Sequence, residues 1–196
     1  MEELKLYMLL LGCKPQGRRT EQHDVFFGIA PDLKSLVPAM KKFWPEAKGR
    51  IHVDAWREVS RVDGFKIEVK PRSEDELALP TPSLFFLNLG GYRENEFDEF
   101  HYRMVLVGDD LEEVKKRSKQ TAFFKHSNVS SSATTRNAQS HIDDKYGIDV
   151  DDAYRVDDIL SSQDKLAYRI DITAATDEVK DDLYLGYYRI EDILLL

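Results

Sequence analysis

The chain has 196 residues, of which 42% are hydrophobic and 11% aromatic, so the composition typical of a disordered protein is excluded. It carries 28 basic and 36 acidic residues, and the net charge of −8 argues against a nucleic-acid coat, which needs a basic surface. The single cysteine excludes an internal disulfide and any zinc site built on two cysteines. These values predict a folded cytoplasmic protein.

The first predicted element is a strand over residues 4–12, where apolar residues dominate. The run Leu9-Leu10-Leu11-Gly12-Cys13 looks like a lipoprotein cleavage box. However, Glu2 and Glu3 precede it, and the apolar run is too short for a signal peptide. We therefore expect a buried strand rather than a secretion signal. No run reaches the ~18 apolar residues of a membrane span, so no membrane partner is expected.

A strand over residues 21–30 comes next, followed by a helix. Either Asp32 or Ser35 caps this helix. If Ser35 is the cap, Pro38 falls in the first turn, whereas a cap at Asp32 predicts a kink. Two more strands are predicted, at residues 51–59 and 65–70.

The most informative feature is an internal repeat. The pattern of Leu6–Gly12 returns in Leu84–Gly90, and the same spacing places Glu99 and His101 on Glu21 and His23. Further along, the register slips by an insertion. The second copy then supplies a helix from Asp110 to about Lys125 and strands at residues 148–157 and 166–173. We interpret the repeat as a tandem duplication.

These elements predict an α+β fold made of two ββαββ units, with largely antiparallel sheets and one main helix in each unit. The first unit covers residues 1–71, and a proline-rich linker covers residues 72–82. The second unit covers residues 83–196, with an inserted loop at about 126–147. The C-terminal tail, residues 183–196, is expected to add a final strand and to dock its apolar end.

Acidic residues concentrate between residues 140 and 152. Clustered carboxylates bind hard cations, and a strand places Asp149 and Asp151 on one face about 7 Å apart. The spacing does not fit an EF-hand. The alternative is a solvated acidic loop followed by a strand with a charged outer face. The candidate metal ligands of this segment are Asp143, Asp144, Asp149, Asp151 and Asp152.

A second candidate site combines Glu21 and His23 with His52 and Asp54, a set suited to zinc, manganese or iron if the two strands are adjacent. In the second copy, the place of His52 falls to Asp149, or to His141 in another register. The alternative is that these polar residues only begin strands and bond to the backbone. The candidate ligand-binding residues are Glu21, His23, Asp24, Glu99, His101, His141 and Lys145.

Five motifs together carry a family resemblance. They are Leu6-Tyr7-Met8-x-x-Leu11-Gly12, Glu21-x-His23-Asp24-Val25-Phe26-Phe27, His52-Val53-Asp54-x-Trp56, Leu89-Gly90-Gly91-Tyr92 and Ser140-His141-Ile142-Asp143-Asp144-Lys145-Tyr146-Gly147. Over about residues 4–173 the chain resembles the bacterial domain-of-unknown-function family DUF1543. The resemblance implies a small cytoplasmic bacterial protein, and it supplies no activity and no catalytic residues.

The first hypothesis for function is a non-enzymatic, duplicated binding or accessory module, because no nucleophile or phosphate-binding loop is recognisable. The second is a metal-dependent hydrolase using the Glu/His and His/Asp clusters. The third is an acidic protein-interaction module of the immunity or inhibitor type. The sequence assigns no cofactor and leaves a divalent cation as the candidate. The expected partner is an unidentified protein or small-molecule ligand, and the chain is expected to be a monomer or a weak homodimer.

Overall fold

The structure, a computed structural model, describes residues 3–73, 81–92, 96–120 and 148–195, and the backbone alone at residues 148 and 149. Within these ranges every strand pairing is antiparallel. The helices of the same ranges are short and few. The predicted mixed fold with antiparallel sheets is therefore confirmed at this level. No helix among the described residues is both long enough and apolar enough to cross a membrane.

The described elements alternate between strands and short helices. The strands are β1 (Lys5–Cys13), β2 (Gln22–Ala30), β3 (His52–Glu58), β4 (Arg61–Val62), β5 (Phe65–Pro71), β6 (Ser83–Tyr92), β7 (Glu99–Gly108), β8 (Ile148–Arg155), β9 (Tyr168–Ala174) and β10 (Tyr184–Arg189). The helices are α1 (Val37–Phe43), α2 (Leu111–Ser118), α3 (Val156–Ile159), α4 (Ser162–Ala167) and α5 (Ile190–Ile193), with 3-10 turns at Lys34–Leu36 and Pro45–Ala47.

Contacts divide the chain into two units. Unit 1 comprises Met1–Ala78 and Ile159–Leu196, and unit 2 comprises Leu79–Asp158. The C-terminal segment thus groups with the first part of the chain.

The main sheet of unit 1 has the strand order β10-β3-β1-β2. Alternate residues of β1 face α1, and Leu9 and Leu11 are fully buried there with Val53 and Met40. The tail closes the same core, because β10 pairs with β3 and the two isoleucines of α5 are buried in the cluster. The other face of the sheet, which carries Gly12, is the one that holds polar side chains at its end.

The first helical segment is the 3-10 turn at Lys34–Leu36, and Asp32 precedes it. The Asp32 carboxylate accepts hydrogen bonds from the backbone N–H of Ser35 at 2.9 Å and from its hydroxyl at 2.6 Å. A 3-10 turn follows, and α1 then starts at Val37 with Pro38 in its first turn. Neither predicted residue caps α1, whose N-cap is Leu36 with no side-chain hydrogen bond. Asp32 instead bonds to Ser35 in the preceding 3-10 turn, and this turn places Pro38 where a missing N–H costs nothing.

A second sheet of unit 1 has the order β4-β5-β9. Strands β5 and β9 pair from Phe65 opposite Ala174 to Pro71 opposite Tyr168. The strand predicted over residues 166–173 begins two residues later, because α4 occupies residues 162–167. The Ser161 hydroxyl accepts a hydrogen bond from the backbone N–H of Asp164 at 3.1 Å and so caps α4.

Unit 2 contains one three-stranded sheet, β7-β6-β8, with α2 packed on it. Asp110 caps α2 as predicted, because its carboxylate accepts a hydrogen bond from the backbone N–H of Glu113 at 2.8 Å. Strand β8 ends at Arg155, two residues before the predicted end, and α3 takes its place. The inserted loop, which carries four of the candidate site residues, lies outside the described residues. These four are His141, Asp143, Asp144 and Lys145.

Candidate metal centre

The centre is built around Gly12 near the end of β1. Strand β1 lies between β2 and β3, and Gly12 pairs with His23 on one side and with His52 on the other. Cross-strand partners share one face of a sheet, so both imidazoles project from the face that carries Gly12. Two strand spacings, about 9.6 Å, separate β2 from β3. The side chains bridge this gap because glycine leaves the space above the central strand free.

A β-bulge brings a carboxylate into the same space. Val53 pairs with Leu11 and Ala55 pairs with Leu10, so Asp54 is the extra residue of β3. A Cβ placed on Gly12 would lie 2.3 Å from His52 Nε2 and 2.5 Å from Asp54 Oδ2. Both polar atoms therefore occupy the volume that any other residue at position 12 would fill.

Two nitrogens and two carboxylates converge at this point. Asp54 Oδ2 lies 3.1 Å from His23 Nε2 and 3.2 Å from His52 Nε2. Glu21 adds its carboxylate, with Oε1 3.2 Å from His52 Nε2 and Oε2 3.9 Å from His23 Nε2. One donor atom from each of Glu21, His23 and His52 lies within 4.8 Å of the other two. We call these four side chains the first cluster.

Burial is graded across the first cluster. The side chain of His52 is 7% exposed and that of Asp54 24%, whereas His23 is 36% and Glu21 45% exposed. His52 Nε2 and Asp54 Oδ2 are buried and have no hydrogen-bond partner, although they lie 3.2 Å apart. Buried polar atoms without partners are costly. The cluster is therefore buried on the His52 side and open on the Glu21 side.

The edge strand β10 supports the buried side. The ring of Tyr187 lies against the imidazole of His52, with centroids 4.3 Å apart and a 30° interplanar angle. Beside it, Tyr184 stacks on Trp56 at 3.9 Å. Gly186, with φ of +143°, allows the irregular register of β10 between these two contacts. The C-terminal strand thus fixes the orientation of the His52 ring.

Cys13, the neighbour of Gly12, does not join the cluster. It lies in the hydrophobic core on the opposite face of β1. Burial raises the pKa of the Cys13 thiol, which favours the neutral form over the thiolate that binds metals.

Unit 2 contains a related arrangement around Gly90. This glycine of β6 pairs with His101 on β7 and with Asp149 on β8. A register shift between Asn88 and Leu89 leaves Asp151 as the extra residue of β8. A Cβ on Gly90 would lie 2.3 Å from Asp151 Oδ2. The strand order, the glycine and the bulge therefore recur at corresponding positions of the two sheets.

The second cluster consists of Glu99, His101 and Asp151, which each offer one donor atom within 4.8 Å of the others. His101 Nε2 lies 3.4 Å from Asp151 Oδ2. All three residues are more exposed than His52. The Tyr92 hydroxyl donates to Glu99 Oε1 at 2.9 Å, and this hydrogen bond raises the pKa of Tyr92. The register position of His52 in unit 1 is held here by Asp149.

The remaining candidates lie elsewhere. Asp24 pairs with Leu11, on the face opposite to His23, and its carboxylate accepts a hydrogen bond from the backbone N–H of Val25. Asp152 accepts a hydrogen bond from the side-chain amide of Asn88 at 3.2 Å. Neither carboxylate belongs to a cluster of the described residues. Sequence reasoning missed Gly12, although the glycine that ends the repeated motif Leu6–Gly12 and Leu84–Gly90 is the signal that marks it.

The fold has a relative among solved structures. The crystal structure of protein Il1583 from Idiomarina loihiensis is similar with a TM-score of 0.62 and 19% sequence identity, covering 96% of this chain and 98% of that chain. At this identity the similarity concerns the fold alone. No curated protein matches the sequence significantly.

The first cluster lies within the segment that a family model covers. Strands β2 and β3, with α1 between them, lie within this segment. Residues 18–69 match the model described as Domain of Unknown Function (DUF1543), and the predicted resemblance to that family is confirmed over these residues.

Proposed function

We propose that the protein is a non-enzymatic binding module whose first cluster holds one divalent transition-metal ion. The carrying observation is the pair of buried atoms without hydrogen-bond partners, His52 Nε2 and Asp54 Oδ2, which face His23 and Glu21 over Gly12. A cation at this point satisfies both atoms and offsets the charge of the two carboxylates.

The donor set indicates the class of metal. Two imidazoles with two carboxylates suit zinc, manganese or iron(II), whereas soft ions such as copper(I) prefer sulfur ligands. The one thiol nearby, Cys13, lies on the opposite face of β1. Zinc, manganese or iron(II) is therefore the expected ligand, and zinc is tested first because it binds imidazole donors more tightly than manganese does.

The experiment is a calorimetric titration of the metal-free protein with zinc chloride, with thermal unfolding as a second measurement. The expected result is one tight zinc ion, and a zinc concentration about 100 times the dissociation constant stabilises the fold by about 2.7 kcal/mol. His23→Ala is the test variant, because His23 is the more exposed imidazole and its removal is expected to spare the fold. Asp24→Asn is its matched control on the opposite face.

Two results would overturn the proposal. One is wild-type protein that binds no zinc, manganese, iron(II) or cobalt and shows no change of melting temperature with any of them. The other is a His23→Ala protein that binds zinc as tightly as the Asp24→Asn control.

A hydrolase is the second candidate function, and the open side of the first cluster favours it. Glu21 and His23 are 45% and 36% exposed, so an ion held there keeps a coordination position accessible to water. In that case His23, His52 and Asp54 would hold the ion, which would lower the pKa of a bound water, and Glu21 would take the proton instead of serving as a ligand. Metal-dependent cleavage of p-nitrophenyl phosphate or p-nitrophenyl acetate that Glu21→Gln abolishes, without loss of the metal, would replace the non-enzymatic proposal.

The tandem duplication also remains a proposal, with units at residues 1–71 and 83–196. The shared order of β2-β1-β3 and β7-β6-β8 supports it, together with the glycine and bulge at corresponding positions. The last strands of the two proposed copies, β5 and β9, pair with each other. This pairing places strands from both proposed copies in unit 1, which explains why Ile159–Leu196 group with the first part of the chain.

A further inference from the structure

The second cluster, on β7 and β8 of unit 2, has one imidazole donor where the first cluster has two. Glu99, His101 and Asp151 supply two carboxylates and one imidazole. The chain places a third acidic residue, Asp149, at the register position where unit 1 has His52. The two clusters therefore share a frame and differ in the balance of nitrogen and oxygen ligands.

We propose that Glu99, His101 and Asp151 form a second, independent cation site suited to oxygen-preferring ions of the manganese class. Its ratio of zinc to manganese affinity is smaller than that of the first cluster. This site does not rest on metal binding by the first cluster, because unit 2 supplies all of its ligands.

The position of Asp151 distinguishes this cluster from a solvated acidic strand. Its Oδ2 atom lies over Gly90, in the volume that a Cβ would fill, and faces His101 Nε2 at 3.4 Å. A carboxylate on an ordinary exposed strand projects into water instead. The bulge of β8 aims Asp151 inward over the glycine, as the bulge of β3 aims Asp54 over Gly12.

The exposure of the second cluster sets its preference. Manganese binds carboxylates readily and keeps several water ligands, so an open site with two carboxylates suits it. The advantage of zinc over manganese comes largely from nitrogen and sulfur donors, and this site has one imidazole where the first has two. We expect the ratio of zinc to manganese affinity to be at least about tenfold smaller at the second cluster than at the first.

The test counts bound manganese by electron paramagnetic resonance in the full chain. Wild-type protein is expected to bind two ions, and the doubly substituted His101→Ala, Asp151→Asn protein is expected to bind one. Asp152→Asn is the matched control, because Asp152 adjoins Asp151 but bonds to Asn88. The first cluster is removed separately by His23→Ala, which is expected to leave one ion with the smaller zinc-to-manganese ratio.

A gain-of-function variant tests the preference directly. Asp149→His restores a second imidazole at the register position of His52, and it is expected to raise zinc affinity at the second cluster at least about tenfold over manganese. An unchanged ratio would overturn the assignment of the preference to this position. The variant is informative even if the loss-of-function protein folds poorly.

The outcomes separate the two proposals. A wild-type protein that binds one ion, lost in His23→Ala and kept in His101→Ala, Asp151→Asn, overturns the second site and supports the first. Binding that His23→Ala leaves intact and His101→Ala, Asp151→Asn abolishes does the reverse. A protein that binds no ion overturns both.

Discussion

The glycine beneath the first cluster offers the sharpest perturbation, Gly12→Ala. The added Cβ would lie 2.3 Å from His52 Nε2, 2.5 Å from Asp54 Oδ2 and 2.8 Å from His52 Cε1. Ordinary contacts are about 3.5–4.0 Å, so each of these polar atoms must retreat by at least about 1 Å. Metal–ligand distances tolerate only about 0.2 Å of change. The substitution therefore displaces two of the four ligands without removing a single donor.

The expected result is a loss of zinc affinity of at least about 100-fold, which corresponds to roughly 2.8 kcal/mol of binding free energy. Crowding of the sheet face is expected to lower the free energy of unfolding of the metal-free protein as well, by about 1–3 kcal/mol. Calorimetric titration of the metal-free variant measures the first quantity, and urea unfolding in EDTA measures the second.

Gly90→Ala is the matched control, because the same change in unit 2 crowds Asp151 and leaves the first cluster untouched. It is expected to keep zinc binding at the first cluster. A Gly12→Ala protein that binds zinc as tightly as the wild type would refute the reasoning, because the donors would then not depend on the free space over Gly12.

Three further predictions concern the frame around the site. Asp181→Ala is expected to lower the free energy of unfolding by about 2–4 kcal/mol in urea titrations. The Asp181 carboxylate is 4% exposed, accepts hydrogen bonds from the backbone N–H groups of Ser60 and Arg61 and from the Ser60 hydroxyl, and pairs with Arg57. An unchanged urea midpoint of unfolding would contradict this. Because the ring of Tyr187 contacts His52, Tyr187→Ala is expected to weaken zinc binding about tenfold in calorimetry, whereas Tyr187→Phe keeps the ring and is expected to leave zinc binding unchanged. Equal zinc affinities of these two variants would contradict this role of the ring. Hydrogen bonds from Ser35 lower the pKa of Asp32, so the stabilisation they give is present above the pKa of the unfolded state and is lost as the pH falls through the pKa of the folded state. Between neutral pH and about pH 2, the melting temperature of Ser35→Ala is therefore expected to fall less than that of the wild type. Parallel curves of melting temperature against pH would contradict this.

Local patterns predicted the elements that alternation and caps determine. The alternating apolar residues of β1 and β2 gave their strands nearly in full, and Asp110 predicted the start of α2 because its carboxylate satisfies the first free N–H groups of the helix. The helix α4 was missed in favour of a longer strand. Its signal was present in Ser161 and Asp164, since a serine followed three residues later by an acidic residue is typical of a helix start.

The sequence did not predict which distant strands pair or in which register they do so. The candidate site required β2 and β3 to be adjacent, but both instead flank β1, and the register brings His23 and His52 to the same glycine. Pairing of this kind depends on which edge of β1 each strand joins, and no periodicity encodes that choice. The bulge at Asp54 has the same origin, because it appears only once the register on both of its sides is known.

The decisive physical question at the first cluster is why four ionisable groups collect at one point, when the sequence also allowed these polar residues only to begin strands and bond to the backbone. Solvated groups satisfy their polar atoms with water, yet His52 is 7% exposed, and its Nε2 atom and Asp54 Oδ2 lack any hydrogen-bond partner. Burying such atoms without compensation costs about 1–3 kcal/mol for each group. A fold that retains this cost at a glycine, with a second carboxylate and a second imidazole aimed at the same point, is best explained if a cation offsets it.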